Sequence, residues 1–299
     1  MILIYFTLIL VLIGSHLKIY PMNELQFLSH FFHQTCLNQV PSSENAQMAL
    51  SALVCGENFS DRNQSRLYAA TGLIHLFVVS GSHLILIQIF IEFISSRLLN
   101  LKSKWFILSV LFMYSAVCLF NPPVIRSFIF LSLMLYLRHN HSYWPRSFIL
   151  LISGLFCLFL NFDFINSLSF QMSWLAALTL EIHRQKFKNT NSIFRQIIFY
   201  FIFSSSFLAL GFPQFSIVIV CIVLTPVLEY ILFPLAFVTV IFHVFEPLFS
   251  FIILCLNVVL HALNFESTST QVSVNQLITV NWIIIVMCHF WIHKGKLKS

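Results

Sequence analysis

Long apolar segments separated by short polar loops are the feature that most limits what this chain can fold into. Of its 299 residues, 59% are hydrophobic and 9% are charged, whereas a soluble domain carries about 25% charged residues. We count about nine to eleven such segments, some short enough to be tilted or re-entrant in a bilayer. Backbone groups in lipid must be satisfied within the segment, which favours helices. The sequence therefore predicts an all-α integral membrane protein, a polytopic helical bundle.

Basic residues gather in the short loops between these segments, and the net charge is +6. Short basic loops normally mark the cytoplasmic side of a membrane. We therefore interpret the clusters near Lys102, Arg146 and Lys186 as topology signals and expect these loops to be cytoplasmic. Two helical hairpins lie between them, namely Trp105–Phe120 with Val124–Leu137 and Ser147–Leu160 with Leu168–Ile182. Because two crossings return the chain to its starting side, this pattern fits the charge distribution.

The distribution of polar residues divides the chain into four predicted parts. Residues 1–19 form an N-terminal anchor helix, and residues 20–66 form a short polar segment that is extracytoplasmic or interfacial and too small for its own core. Residues 67–293 form the transmembrane domain, and residues 294–299 form a basic tail. Cys36 and Cys55, two of seven cysteines, flank part of the polar segment. A disulfide between them requires that segment to be extracytoplasmic, and the spacing alone does not establish the geometry.

Polar residues interrupt the apolar run from Thr71 to Phe90. His75 and His83 are eight residues apart, which is about 80° around a continuous α-helix. Ser80 and Gly81 lie between them and favour a break, because glycine weakens helices and serine competes for backbone groups. Polar groups in lipid need partners. This stretch is therefore predicted to line a pathway or to form a close-packed joint.

Three more polar residues fall inside apolar helical segments. Arg126 lies near the start of one, where burial in a bilayer costs about 2.5–3.5 kcal/mol unless the side chain is paired or reaches the interface. Two interpretations stay open: a side chain that extends to the membrane surface, or a cation at a pore mouth. Gln171 and Ser173 interrupt a later segment, where interhelical hydrogen bonding is the simpler role. Glu57 and Asp163 are candidate partners for Arg126 or for a histidine.

Patterns typical of catalysis and of metal binding are missing from the sequence. No H-E-x-x-H array, H-x-H-x-D-H array or phosphate-binding loop of the Walker A type occurs. Ser80 lacks the G-x-S-x-G environment of an activated nucleophile, and His75 and His83 have no carboxylate at helical spacing beside them. We expect no metal, no cofactor and no enzymatic activity.

Four motifs in a fixed order carry a resemblance to a known family. They are L-V-C-G-E at Leu53–Glu57, T-G-L-I-H-L-F-V-V-S-G-S-H at Thr71–His83, P-P-V-I-R-S at Pro122–Ser127 and F-Q-M-S-W-L-A at Phe170–Ala176. Together they resemble the transmembrane competence domain of the ComEC family of DNA-uptake proteins. The resemblance weakens beyond Gly211. We expect the chain to correspond to the membrane core alone, without the soluble domains of full-length relatives.

The resemblance implies a membrane channel component for uptake of single-stranded DNA in natural transformation, acting by transport without covalent chemistry. It also implies a multi-pass protein of the bacterial inner (cytoplasmic) membrane, with membrane lipid, a DNA receptor outside and a helicase-type motor inside as partners. A homo-oligomer is left open. The candidate residues of the DNA path are His75, Ser80, Gly81, His83, Arg126, Gln171 and Ser173, with Phe77 and Trp174 as candidate stacking surfaces.

Two other classes of function remain alternatives to a DNA channel. One is a membrane scaffold that conducts nothing. The other is a permease for small solutes, which matching broken segments in two halves of the chain would favour. The sequence shows no such internal repeat.

Overall fold

A computed structural model of the protein describes residues 25–42, 46–57, 68, 81–97, 104–186, 224, 227–262 and 274–294. The described residues contain no strand, so the all-α prediction is confirmed for them. Ten α-helices follow one another in these ranges: α1 Gln26–Gln39, α2 Gln47–Leu50, α3 Gly81–Arg97, α4 Lys104–Val117, α5 Pro122–His139, α6 Arg146–Leu160, α7 Leu168–Lys186, α8 Phe233–Ile241, α9 Glu246–Ala262 and α10 Val274–Lys294.

Short helical turns of other kinds connect or extend several of these helices. π-helical turns at Ser51–Cys55 and Leu228–Leu232 adjoin α2 and α8. 3₁₀ turns at Phe162–Asn166 and His243–Phe245 precede α7 and α9. The first of these π-helical turns overlaps the L-V-C-G-E motif at Leu53–Cys55.

Two helical stretches in the described ranges are long and apolar enough to cross a membrane. They are His243–Ala262, with 20 residues, and Asn275–Ile292, with 18 residues. Shorter apolar helical stretches occur at Gly81–Ser95, Lys104–Val117, Arg146–Leu160 and Leu228–Ile241. Length and composition alone establish these two candidates, so the larger number of spans stays a prediction.

The helices are distributed between two compact units. Unit 1 comprises Met1–Leu25, Ile125–Pro213 and Thr270–Ser299. Unit 2 comprises Gln26–Val124 and Gln214–Ser269. Unit 1 therefore contains most of α5 together with α6, α7 and α10, and unit 2 contains α1 to α4, α8 and α9. The four-part division of the chain is a separate sequence prediction.

An aromatic seam between α7 and α10 forms the core of unit 1. The indole of Trp174 on α7 lies edge-on to Phe170 and to Trp282, with ring centroids 5.5 and 5.7 Å apart. Its Nε1 donates to Nε2 of His289 on α10, at 3.2 Å. Phe170 and Trp174 are four residues apart, so they share one face of α7. Burying these large rings together stabilises the α7–α10 contact.

Helix α6 packs against the other side of this seam through a glycine. A Cβ added at Gly154 would overlap the six-membered ring of Trp174. Both residues are buried, with Trp174 only 2% exposed. The missing side chain of Gly154 therefore sets how closely α6 can approach α7.

A disulfide holds α1 to the π-helical turn in unit 2. Cys36 on α1 is bonded to Cys55, with 5.8 Å between their Cα atoms. His33, one turn earlier on α1, donates from Nδ1 to the carbonyl oxygens of Val117 and Cys55, at 2.9 and 3.2 Å. The side chain of His33 thus reinforces the same joint between α1, α4 and the π-helical turn.

Gly56 ends the π-helical turn in a conformation that favours glycine. Its φ is +76°, in the left-handed region that other residues rarely adopt. A Cβ there would lie 3.0 Å from Cβ of Cys118. The Gly56 carbonyl accepts a hydrogen bond from Nδ2 of Asn121 at 3.0 Å. The glycine of the L-V-C-G-E motif is therefore required both by backbone geometry and by space.

The disulfide leads to a prediction about topology, because such bonds persist in oxidising compartments and outside the cytoplasm. We expect Cys36 and Cys55 to lie on the extracytoplasmic side. In a Cys55→Ser variant, a membrane-impermeant maleimide should label the freed, half-buried Cys36 in intact spheroplasts. The wild type should gain that label only after reduction, and the Cys36→Ser/Cys55→Ser double variant should not gain it. Labelling of Cys36 that requires permeabilised membranes would contradict this side assignment.

Candidate functional site

The structure describes part of the predicted DNA path. His75, Ser80 and Phe77 lie outside the described residues. Gly81 and His83 belong to α3 in unit 2, while the other path candidates, Arg126, Gln171 and Ser173, belong to unit 1. Of the described candidates, the structure joins Arg126 to Ser173.

The guanidinium of Arg126 connects α5 to α7. Its Nε and Nη2 donate to the hydroxyl oxygen of Ser173, at 3.1 and 2.9 Å. Nη2 also approaches the hydroxyl oxygen of Ser127 at 3.4 Å. Arg126 is 4% exposed. The side chain therefore lies inside the protein against α7, and the interpretation in which it extends to the surface is wrong for this structure.

The structure also does not support the predicted pairing of Arg126 with a carboxylate, for which Asp163 and Glu57 were the candidates. The ion pair recorded among the described side chains joins Arg184 to Glu181 at 2.8 Å. Asp163 is exposed in the turn between α6 and α7, where its backbone N–H donates to Oδ1 of Asn161. Glu57 is exposed just after Gly56. Because both carboxylates are solvated and local to turns, neither neutralises a described cation.

Gln171 has a structural role at the start of α7. Its side chain is fully buried, and Nε2 donates to the carbonyl oxygen of Ile165 at 2.9 Å. Nε1 of Trp282 donates to the same carbonyl at 3.0 Å. Gln171 and Trp282 together fix the turn before α7 to α10. Oε1 of Gln171 is buried and has no hydrogen-bond partner in the described part of the chain.

Trp174 does not offer a free face for stacking with nucleobases in this structure. The ring is enclosed by Gly154 of α6, by Phe170 and by Trp282 and His289 of α10. Tryptophan in the F-Q-M-S-W-L-A motif thus acts here as a core residue. The stacking role predicted from its aromatic character has no support from the geometry.

In unit 2 the motif residues of α3 contact the π-helical turn before α8 and the first residue of α8. The ring of His83 stacks on Phe233, with centroids 4.0 Å apart and 17° between the planes, and His83 is 1% exposed. The hydroxyl of Ser82 donates to Oε1 of Glu229 at 2.7 Å. His83 is therefore a packing residue in this structure, and Gly81 is the first described residue of α3.

Sequence reasoning did not identify several of these partners. Ser127 follows Arg126 directly in the P-P-V-I-R-S motif, so the signal was present. Glu229 is a carboxylate within an apolar run, which is itself a signal, because such residues need a partner. His33 and Asn121 carried no recognisable signal, since their acceptors are backbone carbonyls distant in sequence.

The predicted absence of a metal site can be examined for the described residues only. No group of three or more His, Cys, Asp or Glu side chains capable of holding a metal ion occurs within them. The expected absence of a metal remains a prediction, because His75 and other residues fall outside the described ranges.

In the part of the chain that the structure describes, the protein is of a helical class in which buried hydrogen bonds, among them those of the Arg126 guanidinium, join largely apolar helices. A family model described as "Competence protein" matches residues 53–296. This match covers more than half of the chain and includes all four motifs. The chain therefore belongs to the Competence protein family, and the resemblance to ComEC proteins is confirmed. No curated protein and no solved structure gives a match.

Proposed function

We propose that this chain is a multi-pass component of the bacterial inner membrane that carries single-stranded DNA across it in natural transformation. The observation that carries the proposal is the family match over residues 53–296. That family gives a role in competence for DNA uptake.

The exposed surfaces of the two longest apolar helices support a membrane location. Of the most apolar 18 residues in each helix, 22% and 28% are buried inside the protein. A core helix of a soluble protein is mostly buried. Large apolar side chains face outward along them, including Phe251, Val258, Val286, Met287 and Phe290. Such surfaces are costly in water and suited to lipid.

The buried charge of Arg126 supports a polyanionic cargo. A DNA strand carries one negative charge on each phosphate, and neutralising phosphates with basic side chains dominates sequence-independent binding. A strand crossing a bilayer needs a polar or cationic path. Arg126 supplies a positive charge within an otherwise apolar helix, and the described part of the chain provides no carboxylate to cancel it.

The proposed mechanism is transport without a covalent step. The chain would position and shield the strand, while a helicase-type motor on the inside and a DNA receptor on the outside supply force and substrate. No nuclease or ATPase activity is expected of the purified protein. A non-conducting scaffold and a small-solute permease are the alternatives, and no specific contact favours either of them.

Deleting the coding sequence tests the proposal. We expect transformation by added DNA to fall to the background of spontaneous mutation, while conjugative or electroporated DNA is still recovered. Complementation with the intact chain should restore transformation. Normal transformation in the deletion strain would remove the proposal, and equal loss of electroporated DNA would indicate a role after entry.

A further inference from the structure

The Nε/Nη2 edge of the Arg126 guanidinium, which is the edge suited to bind oxyanions, donates to a single neutral oxygen atom. Nε and Nη2 form the fork that binds a carboxylate or a phosphate through two parallel hydrogen bonds. In this structure both nitrogen atoms converge on Oγ of Ser173, at 3.1 and 2.9 Å. One hydroxyl oxygen therefore occupies the place where one oxygen of an anion would lie.

The charge balance of this contact is incomplete. Arg126 is 4% exposed, and no described side chain forms an ion pair with it. Serine hydroxyls accept hydrogen bonds but carry no charge, so Ser127 and Ser173 provide acceptors for Nε and Nη2 without neutralising the guanidinium. A buried cation that lacks an anion is unfavourable by several kcal/mol. An anion that enters the site would neutralise the guanidinium, and this gain in free energy would favour its binding.

If an anion replaces Ser173 on the guanidinium, a contact between two helices is lost. Arg126 lies on α5 and Ser173 on α7, 47 residues later. Within unit 1 the two hydrogen bonds are therefore a link between two helices. Any anion that takes over the guanidinium fork must displace the Ser173 hydroxyl and so loosen this link.

We propose that Arg126, Ser127 and Ser173 form a phosphate-operated latch, in which a backbone phosphodiester of the strand replaces Ser173 on the guanidinium and frees α7 from α5. The inference rests on the proposed function and names the group of the cargo that is recognised. The two non-bridging phosphate oxygens accept from Nε and Nη2, the hydroxyl of Ser127 donates to one of them, and the hydroxyl of Ser173 is released from the guanidinium. Recognition is thus of the phosphate and is independent of base sequence.

A built-in carboxylate at position 173 should lock this latch. In Ser173→Asp the carboxylate would occupy the guanidinium fork permanently and supply the missing negative charge. We expect normal abundance, a raised melting temperature and loss of DNA uptake. Ser169→Asp is the matched control, because it makes the same change at an exposed position on the same helix, and it should leave uptake normal. Normal uptake in Ser173→Asp at normal abundance would overturn the latch.

A binding measurement on purified protein tests, without the use of cells, whether Arg126 recognises the phosphates of the strand. We expect oligothymidylate to raise the melting temperature of the wild type and of Ser169→Asp, and to leave that of Ser173→Asp and Arg126→Gln unchanged. The same oligomer with uncharged methylphosphonate linkages should have no effect. Equal stabilisation by both oligomers would overturn the inference even if Ser173→Asp fails to fold. Failure of the proposed function would appear separately, as normal transformation in the deletion strain.

Discussion

Replacing Gly154 with valine should leave little folded protein in the membrane. A Cβ at this position already overlaps the Trp174 ring, and valine adds two more methyl groups on a branched, stiff side chain. Overpacking a core typically costs about 1–3 kcal/mol, and more where neighbours cannot move. Trp174 has no space to retreat, because Trp282 and His289 hold its other side. Membrane abundance and the melting temperature in detergent are the measurements.

A second substitution separates this clash from other effects of valine. Trp174→Phe removes the part of the indole that meets Gly154, so the Gly154→Val/Trp174→Phe pair should recover part of the lost abundance. Phe156→Val, on an exposed side of the same helix, is the control and should change little. Normal abundance and normal melting temperature for Gly154→Val alone would show that α6 does not pack on Trp174 in this way.

Replacing Arg126 with glutamine should abolish DNA uptake while leaving the protein abundant. Glutamine removes the positive charge but retains hydrogen-bonding capacity toward Ser173. No described side chain forms an ion pair with Arg126, so its loss leaves no described carboxylate without a partner. Removing a buried charge under these conditions should not destabilise the fold. Arg126→Lys should keep part of the uptake, since it retains the charge but loses the planar fork.

Transformation frequency divided by membrane abundance is the quantity to compare among these variants. Arg138→Gln is the matched control, because Arg138 lies on the same helix and in the same unit as Arg126 but is exposed. We expect its uptake to remain close to that of the wild type. If Arg126→Gln transforms normally at normal abundance, Arg126 is not on the DNA path.

The positions of the helices could largely be predicted from apolar length and turn residues. The segments Ser147–Leu160 and Leu168–Ile182 correspond to α6 at Arg146–Leu160 and α7 at Leu168–Lys186. The apolar stretch from Phe233 to Ala262 is divided between α8 and α9 by the turn His243–Phe245. Asparagine and proline end or begin helices through their local backbone geometry, so the residues next to a boundary predict its position.

The contacts of the candidate site could not be predicted in the same way. Arg126 and Ser173 each stand in a recognisable motif, but their meeting depends on how α5 and α7 rotate about their own axes. The same holds for Gly154 and Trp174, and for the bond between Cys36 and Cys55. Sequence spacing fixes which residues share a face of one helix. It does not fix which face of the next helix they meet, so the sequence offered Asp163 as a candidate partner for Arg126 and did not indicate Ser173.

The measurement that tests the central claim most directly follows a labelled DNA strand into the cell. Duplex DNA carrying a label in each strand is added to the wild type, the deletion strain and the complemented strain, and the cytoplasm is separated from the envelope. We expect single-stranded label in the cytoplasm of the wild type and the complemented strain. In the deletion strain the label should remain nuclease-accessible once the outer layers are removed. Cytoplasmic single-stranded label at wild-type levels in the deletion strain would contradict the account.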